Sequence, residues 1–572
     1  MINPKIVRRK VFPAQSVNNV FLTPTTSPEN SNIGLTANNW SNVHLDAYSS
    51  DSTDLTGPLG ISVSPQVTHL IEVQQYENKY NGMLVIACTS KGVLLGTAVD
   101  FTTGETVLTA YSRIHMGLIG FKRLGLLPPT SFRGGYFFLD RDDNVLVINN
   151  DSTLSLFKTS SLTENDSALD EANPIENINL IWKTTKIIIP GQQSTQELYG
   201  AVPVGSPDIN TDNTIYWVMT TSDFNPTNQN QYGTSVAIIR INGTGTVTPE
   251  FGNQIGIKHY LNEWNNNTLT ACQDGLYFIT NSSGSTNSTN LTGYVHALNA
   301  QPGLIAVERW ANPITYTHTG YMKRGDTNTG SGTTVTLMDD PKSLDKMLIF
   351  ADNSEPKMKI RVFKDRLSNN PVEIGGTTPV GGGIGGGIEI FKNRRSGTEA
   401  SMAAYGGYIF VGSHFGHTID PGRPQLVPTE PGIVCLKVDP TDGNQGSIKE
   451  IWFADRPINV QLGISILART NGVLYVCGAE WPVDRFSLTE GEDNTNSSEP
   501  EYFVAAYDTW DGRIIWKLPI GSGWKGAHEY SGAAYFDRNG SASSNSLYIG
   551  TNGYLVKITA DTAGFFDNAV KK

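Results

Sequence analysis

Short runs in which apolar and polar residues alternate recur along most of this chain. Residues 474–478 and 502–508 show the pattern clearly, and glycine, asparagine or aspartate follows most of the runs. An alternation with a period of two residues predicts half-buried β-strands, and these small or polar residues supply the positive-φ turns that join them. The pattern therefore predicts an all-β fold.

The predicted strands belong to a repeat. Each unit is a strand pair followed by a Thr-Gly or Asp-Gly turn and a closing aromatic residue such as Trp310, Trp452 or Trp516. The units begin near residues 83, 134, 199, 270, 335, 405, 472 and 545. Repeats of roughly 40–50 residues with four strands form β-propeller blades, and the wider spacing here requires long loops. We therefore predict a single β-propeller of eight four-stranded blades, with seven blades as the alternative.

The first part of the chain lacks this alternation. We expect residues 1–62 to form an N-terminal arm that packs on a propeller domain of residues 63–572. Within that arm, residues 6–12 are apolar enough to add a strand to the last blade and so close the ring.

Composition agrees with this fold and narrows the choice of partners. Glycine (58) and proline (29) are frequent, and charged residues make up only 17% of the chain, which is typical of turn-rich β-proteins. The net charge of −12 argues against nucleic acid binding, which needs clustered lysine and arginine. No run of about 18 apolar residues occurs, so no membrane span is expected.

The cellular compartment is predicted from the absence of a recognisable signal peptide. The first residues contain no apolar signal core, so we expect a cytoplasmic protein by default, or a secreted one if the chain is a mature form. The four cysteines lie far apart in apolar runs, which predicts buried thiols.

Two repeat copies carry a family resemblance. Residues 294–298 read Tyr-Val-His-Ala-Leu, and Asp508 is followed by Asp511, Gly512 and Ile-Ile-Trp516. With these copies, most of residues 80–565 resembles the quinoprotein alcohol dehydrogenase-like (PQQ-like) propeller superfamily. The resemblance implies an eight-bladed ring in which each blade ends in a tryptophan-docking seam.

The enzymes of that superfamily hold pyrroloquinoline quinone on a tryptophan floor, beneath a disulfide of adjacent cysteines and beside a calcium ion. This chain has no adjacent cysteine pair and no CxxCH haem-attachment motif. We therefore expect no pyrroloquinoline quinone and no recognisable cofactor site of that kind.

Other segments are similar to those of a little-characterised bacterial propeller group. They are residues 39–48 with Asp51 and 57–60, residues 135–140, residues 330–338, residues 351–353 and residues 356–358. This resemblance implies the propeller fold and brings no reaction with it.

The densest candidate chemistry lies in the predicted arm. His44, Asp46 and Asp51 fall close together beside Trp40 and Tyr48. An imidazole with nearby carboxylates can bind a divalent cation or act as an oriented base, whereas the aspartates can also serve only as turn-forming residues of a capping loop. Both interpretations stay open.

A second metal candidate is the pair His414 and His417, three residues apart in a predicted loop. Such a pair can chelate a cation, but two surface histidines give the same pattern.

The remaining candidates lie in or beside predicted inter-blade loops. Lys323 and Arg324 precede a Gly-Ser-Gly turn and can meet an anion, or the turn can simply lead into the next strand. Asp352 and Asn353 end a strand and form either a turn or an axial polar pair. His528 and Glu529 follow Gly-Ser-Gly-Trp in the last unit, where loops line the mouth of a propeller. The catalytic candidates are thus His44, Asp46, Asp51, Lys323 and His528, and the ligand-binding candidates are Trp40, Tyr48, Arg324, Asp352, Asn353 and Glu529.

Two functions fit these observations. The first is a binding or scaffold module that holds a small molecule or a protein through its funnel loops. The alternative is an enzyme at the propeller mouth, either a metal-assisted hydrolase or lyase around His44 and Asp46, or a quinoprotein-like oxidoreductase. A propeller hosts both classes, so the fold does not choose between them, and the oligomeric state stays open.

Overall fold

The computed structural model of the chain describes the strands and the turns that join them. The described residues are 49–53, 71–77, 85–100, 103–126, 137–149, 151–189, 196–203, 214–222, 233–249, 256–265, 268–272, 275–282, 290–301, 305–317, 331, 333–340, 343, 345–352, 354, 357–365, 371–374, 388–390, 396–398, 400–413, 432–440, 446–454, 459–460, 465–469, 472–480, 500–527 and 546–560.

Within these residues the chain forms strands and one helical turn, in the order expected for an all-β protein. The first half contains β1 (Ser52–Thr53), β2 (Ile71–Glu77), β3 (Val85–Cys88), β4 (Val93–Asp100), β5 (Glu105–Ser112), β6 (Leu118–Leu126), β7 (Phe137–Leu139), β8 (Val145–Ile148), β9 (Leu154–Lys158), β10 (Asn179–Lys183), β11 (Gln196–Pro203), β12 (Thr214–Ser222), β13 (Gly233–Ile241), β14 (Val247–Pro249), β15 (Ile257–Leu261), β16 (Glu263–Trp264), β17 (Thr270–Cys272), β18 (Gly275–Ser282), β19 (Asn290–Gln301) and β20 (Ile305–Thr317). The second half contains β21 (Thr336–Asp339), β22 (Lys346–Asp352), β23 (Lys359–Asp365), β24 (Val372–Ile374), β25 (Ile388–Glu389), β26 (Ala403–Tyr405), β27 (Tyr408–Gly412), β28 (Ile433–Asp439), β29 (Ser447–Ala454), β30 (Asn459–Val460), β31 (Ile466–Ala468), β32 (Val473–Glu480), β33 (Glu501–Asp508), β34 (Ile514–Ser522), α1 (Gly523–Gly526), β35 (Ser546–Gly550) and β36 (Tyr554–Ala560).

These strands form eight sheets, which we number along the chain. Sheets 1 to 7 are β3–β6, β7–β10, β11–β15, β16–β20, β21–β25, β26–β29 and β30–β34 with β1, and sheet 8 is β35, β36 and β2. Sequential strands pair as antiparallel neighbours, and in sheets 3, 4, 5 and 7 the first or last position is shared by two short strands. Sheets 1 to 7 each have four or more strands, and sheet 8 has three in the described residues.

Neighbouring sheets contact each other through their first strands, which brings those strands to the middle of a ring. β11 contacts β17, β21 contacts β26, and β26 contacts β31. β3 of sheet 1 contacts β35 of sheet 8, so the first and last sheets also meet. The fold is an all-β propeller, as the sequence predicts, and the seven sheets with four or more strands match the seven-blade alternative.

Sheet 8 joins two distant parts of the chain. β2 pairs antiparallel with β36 over its whole length, from Ile71 opposite Ala560 to Glu77 opposite Tyr554. The strand that closes this sheet therefore comes from residues 71–77. Residues 6–12, from which the sequence analysis expected such a strand, lie outside the described residues.

The core lies between the sheets, where tryptophans on last strands fill the seams. Trp182 packs edge-on against Tyr216 of the next sheet, with ring centroids 6.5 Å apart. Trp452 donates a hydrogen bond of 2.8 Å from Nε1 to the carbonyl oxygen of Thr509 in sheet 7. Gly512 has a φ of +71°, and a Cβ there would lie 2.5 Å from the Trp452 ring, so both its backbone and this seam require glycine.

All four cysteines are buried thiols. Burial in apolar surroundings raises the pKa of the Cys477 thiol to about 12 and also raises the pKa of Cys435. These two thiols are therefore protonated packing residues at neutral pH, as the apolar sequence around them predicts.

Candidate functional site on the propeller axis

A short segment before β2 lies among the inner strands of the ring. The carbonyl oxygen of Ser50 accepts a hydrogen bond of 2.9 Å from the amide of Ala404 in sheet 6. The carbonyl oxygen of Asp51 accepts one of the same length from the amide of Leu467 in sheet 7. Residues 52–53 then continue as β1, which pairs in parallel with β31. We call residues 49–53 the axial segment.

The axial segment also reaches the opposite part of the ring. Ser49 Oγ lies 3.2 Å from Thr270 Oγ1 in sheet 4, so these hydroxyls share a hydrogen bond. Thr270 Oγ1 in turn donates to the carbonyl oxygen of Val335 in sheet 5, at 2.6 Å. The segment therefore contacts the first strands of sheets 4, 6 and 7 at once, which places it near the propeller axis.

The backbone of the axial segment is strained. Ser49 has a φ of +50° and Asp51 a φ of +48°, a region that non-glycine residues rarely adopt. Each such residue costs about 1–3 kcal/mol and persists only where the surrounding structure holds it, often at functional sites. Asp51 is fully buried, and so are Ser49 and Ser50. Two of these three consecutive buried residues have a strained backbone, and we therefore take this segment as the candidate site.

Buried hydroxyl side chains also occur on or just before the inner strands near it. Thr336 Oγ1 donates to the carbonyl oxygen of Met402 in the next sheet at 3.2 Å, repeating the contact of Thr270 one sheet further round. The residues that begin these inner strands are also hydroxyl-bearing and buried: Thr268, Thr334, Ser401 and Ser465.

The structure describes two of the residues that the sequence analysis singled out. Asp51 is one, and it lies on the axis. The others lie outside the described residues: Trp40, His44, Asp46, Tyr48, Lys323, Arg324, Asn353, His414, His417, His528 and Glu529. Their predicted roles in catalysis, ligand binding or metal binding stay predictions.

Asp352 is the second described candidate, and its carboxylate is engaged within the protein. Its Oδ2 accepts a hydrogen bond of 2.7 Å from Arg361 Nε, and its Oδ1 accepts bonds from the amides of Ser354 and Lys359. Asp352 and Arg361 are both almost completely buried. This pair fixes the end of β22 to β23, and the predicted ligand-binding role of Asp352 stays a prediction.

Sequence reasoning missed a buried histidine between sheets 3 and 4. His296 Nε2 lies 2.8 Å from Glu263 Oε2 and 3.1 Å from Thr280 Oγ1, and its Nδ1 lies 3.5 Å from Glu308 Oε2. The Tyr260 ring of sheet 3 packs at 4.3 Å from the imidazole centroid. His296 occupies a strand position in an ordinary alternating run, so no sequence signal distinguishes it from a core residue.

Two opposing effects set the charge of His296. Burial alone would lower the pKa of its imidazole, but the contacts with Glu263 and Glu308 outweigh burial and raise that pKa above its usual range. The same imidazole lowers the pKa of Glu308. The two carboxylates therefore favour the protonated imidazole, and because all three residues belong to sheet 4 the group links β16, β19 and β20.

The described part of the chain shows neither a metal-binding cluster nor a membrane-spanning helix. Those residues contain no group of three or more histidine, cysteine, aspartate or glutamate side chains arranged to hold a metal ion. They also contain no helix long and apolar enough to cross a membrane. His44 and Asp46, the candidates for a divalent cation, lie outside these residues, so that hypothesis stays a prediction.

Comparisons with known proteins add little to this geometry. No protein-family model matches the chain, and no curated protein matches it either. Among solved structures, the hydrazine synthase of Kuenenia stuttgartiensis is similar over 74% of this chain and 93% of its own, with 9% identity and a TM-score of 0.27. A likeness at that TM-score carries no argument about what this chain does.

Proposed function

We propose that this protein is a binding module that holds a small molecule or a protein segment at the mouth of the propeller, where the axial segment enters the ring. The strained and buried conformation of Ser49 to Asp51 carries this proposal, because such a conformation costs stability and is often found at functional sites.

The surroundings of the segment support the proposal. Propeller ligands commonly bind where the inner strands and their loops converge, and the backbone of Asp51 is hydrogen-bonded to the first strand of sheet 7. The sequence immediately before the segment holds Trp40, His44, Asp46 and Tyr48, which supply aromatic, imidazole and carboxylate groups for recognition.

Analysis of what the purified full-length protein retains tests this function. We expect mass spectrometry of denatured wild-type protein to release a bound species that the Asp51→Asn variant does not retain. Asp142→Asn removes an exposed turn carboxylate and is the matched control, which should retain the species. Equal release from all three proteins, or release of nothing from any, would count against a binding site at Asp51.

A second function, an enzyme that uses the same mouth, is favoured by one observation. Asp51 lies on the axis rather than at the outer rim, which is the position that a site shared with His44 and Asp46 requires. If a divalent cation assists that chemistry, elemental analysis should find about one ion per chain in the wild type. The ion should be lost in a His44→Ala variant, and a metal-free wild type would count against the metal-assisted enzyme.

A further inference from the structure

The outer edges of sheets 1 and 2 carry the same pair of apolar residues in the same local structure. The last strand of each sheet, β6 or β10, contains a β-bulge in which one isoleucine has no partner in the ladder. In β6 the pairing skips Ile119, which follows Leu118. In β10 it skips Ile181, which follows Leu180. The two edges can therefore be compared position by position.

The matched residues differ in exposure. Leu118 and Ile119 are 0% and 1% exposed, whereas Leu180 and Ile181 are 47% and 41% exposed. Nine large hydrophobic side chains are exposed among the described residues, and four of them lie within residues 175–188. Single exposed apolar residues are ordinary, but a concentration of them on one surface is typical of an interaction site.

The chain itself covers the edge of sheet 1. The connection between β9 and β10, residues 159–178, runs across β6. Within it the amide of Leu169 donates to the carbonyl oxygen of Leu118 at 2.6 Å. Asn177 Oδ1 accepts from the amide of Phe121 at 2.9 Å, and the amide of Asn177 donates to the carbonyl oxygen of Phe121 at 3.2 Å. This irregular segment therefore bonds the outer backbone groups of β6 and buries its apolar residues.

The covering segment and the edge that it covers carry opposite charges. Residues 159–178 contain five acidic residues and no lysine or arginine. Glu176 accepts from Lys122 Nζ at 2.6 Å and from the amide of Arg123 at 3.0 Å. Glu164 accepts from Arg113 Nη2 at 3.1 Å. An acidic segment thus lies on a basic strand edge.

In sheet 3 the equivalent connection is too short to cover sheet 2 in the same way. It joins β13 to β14 with five residues, 242–246, where the connection that covers sheet 1 has 20. A Cβ at Gly245 would lie 3.1 Å from the carbonyl oxygen of Lys183, so this turn reaches β10 only after the bulge. Apart from the ladder with β9, no described residue forms a hydrogen bond with the backbone of Leu180 or Ile181.

The exposed edge of sheet 2 is also basic. Lys158 lies opposite Asn179 at the start of β10, Lys183 and Lys186 follow the bulge, and all three lysines are exposed. Lys183 donates to Asp151 at 2.8 Å, whereas Lys158 and Lys186 have no carboxylate partner in the described part of the chain. A symmetric contact with a second copy would bring this basic edge against itself, so its charge favours an acidic partner.

We propose that the outer edge of sheet 2 binds an extended acidic segment of a partner protein. The exposed edge of β10 offers backbone groups to such a segment, and apolar side chains of the segment cover Leu180 and Ile181. Its carboxylates meet Lys158, Lys183 and Lys186. Sheet 1 shows the same recognition within one chain. This surface is separate from the axial segment, and neither proposal depends on the other.

Fluorescence anisotropy of a labelled peptide tests this surface with the full-length protein. The probe is a synthetic peptide of residues 162–178 of this chain, and the control probe has lysine at its five acidic positions. At low ionic strength the acidic probe should bind saturably and the basic probe should not, and added salt should weaken the binding. Absence of saturable binding by the acidic probe, or equal binding of the two probes, would overturn the proposal.

Variants assign the binding to this edge. Ile181→Asp places a carboxylate at the centre of the contact and should weaken binding of the acidic probe at least about tenfold. Ile451→Asp is the matched control, because Ile451 is the extra residue of the same bulge in sheet 6 and is 45% exposed. The double variant Lys158→Glu with Lys186→Glu should weaken binding about twofold to fivefold, the range for exposed ion pairs. Unchanged affinity in Ile181→Asp, or an equal loss in Ile451→Asp, would contradict the proposal.

Sedimentation velocity of the protein alone tests the other occupant, a second copy. The wild type and Ile181→Asp should sediment alike. An oligomer that Ile181→Asp dissociates would show that a second copy covers this edge, and it would overturn the acidic partner. The species retained at Asp51 should be the same in Ile181→Asp and in the wild type, so a failure here is distinguishable from a failure of the function proposed there.

Discussion

Two buried aspartates, Asp51 and Asp352, differ in what surrounds them. Asp352 ends a regular strand, and its carboxylate receives an arginine and two backbone amides. Asp51 lies on the propeller axis with a φ of +48°, and its backbone carbonyl oxygen is paired with sheet 7. Both are fully buried. Burial therefore does not distinguish these two aspartates, but backbone conformation does.

The two residues affect the free energy of unfolding in different ways. An ion pair such as Asp352–Arg361 couples two strands. Removing one partner leaves the other charge buried and unpaired, which destabilises the fold. The axial segment instead maintains an unfavourable backbone conformation, which the surrounding sheets hold in place. Substitutions at the first site should therefore change stability, and those at the second should chiefly change binding.

The largest effect is expected from breaking the structural pair. Arg361→Met leaves Asp352 buried without its cation and should reduce the free energy of unfolding by about 3–5 kcal/mol. Urea denaturation of the full-length protein measures this. The double variant with Asp352→Leu removes both charges and should recover part of the loss. A cost below about 1 kcal/mol for the single variant would mean that Asp352 is not held by Arg361.

The next largest effect is expected at the buried His296, whose contribution to stability depends on pH. His296→Gln removes the imidazolium between Glu263 and Glu308 and should cost about 1.5–3 kcal/mol at pH 6, the range for hydrogen bonds to charged groups. Because the folded-state pKa of His296 is raised, its contribution is complete below the unfolded pKa of about 6.5 and is lost as pH rises through the folded value.

The lowered pKa of Glu308 gives the opposite dependence. Its contribution is present above the unfolded pKa of about 4.5 and is lost as pH falls through the folded value. Between pH 6 and pH 10 only the His296 contribution changes. Because it is lost as pH rises, the difference in unfolding free energy between wild type and His296→Gln should shrink over that range. A difference that grows with pH would show that His296 is neutral in the folded protein. The groups facing it are Glu263, Glu308, Tyr260 and Tyr294.

A smaller effect is expected at the edge of the axial segment. Ser49→Ala removes one hydrogen bond to Thr270 and should cost about 0.5–1.5 kcal/mol. In thermal unfolding Thr270→Val should lose more, because it also removes the hydrogen bond to Val335, and the double variant should lose little more than Thr270→Val alone. Additive losses would show that the two hydroxyls do not interact.

The smallest change in stability is expected at Asp51 itself. Asparagine has the same size and tolerates a positive φ, so Asp51→Asn should change the free energy of unfolding by less than about 1 kcal/mol. The same substitution should abolish retention of the bound species. A large loss of stability with binding intact would place Asp51 in the same structural class as Asp352.

The propeller fold could be predicted from the sequence because its signals are local and recur in each repeat. The alternation in strands such as β32 and β33, the turn glycine Gly512 and the closing Trp452 recur with each sheet. The number of complete blades was harder to predict, because loops of unequal length obscure the period. The strand that completes sheet 8 comes from residues 71–77, and nothing in that run identifies β36 as its partner.

The candidate site depends on contacts that sequence spacing does not encode. Ser49 and Thr270 are 221 residues apart, and the two sheets beside Asp51 begin more than 300 residues after it. Asp51 attracted attention as part of a polar segment, but its position on the axis required the structure. His296 gave no signal because it alternates like a core residue.

A disulfide cross-link tests most directly whether the axial segment occupies the ring. The hydroxyls of Ser49 and Thr270 lie 3.2 Å apart, so cysteines at both positions should form a disulfide on mild oxidation of the folded, full-length protein. Peptide mapping should find residue 49 joined to residue 270, whereas cysteines at 49 and at Thr109 of sheet 1 should stay unlinked. Absence of the 49–270 link, or equal linking to position 109, would contradict an axial position for Ser49–Asp51 and remove the basis of the proposed binding site.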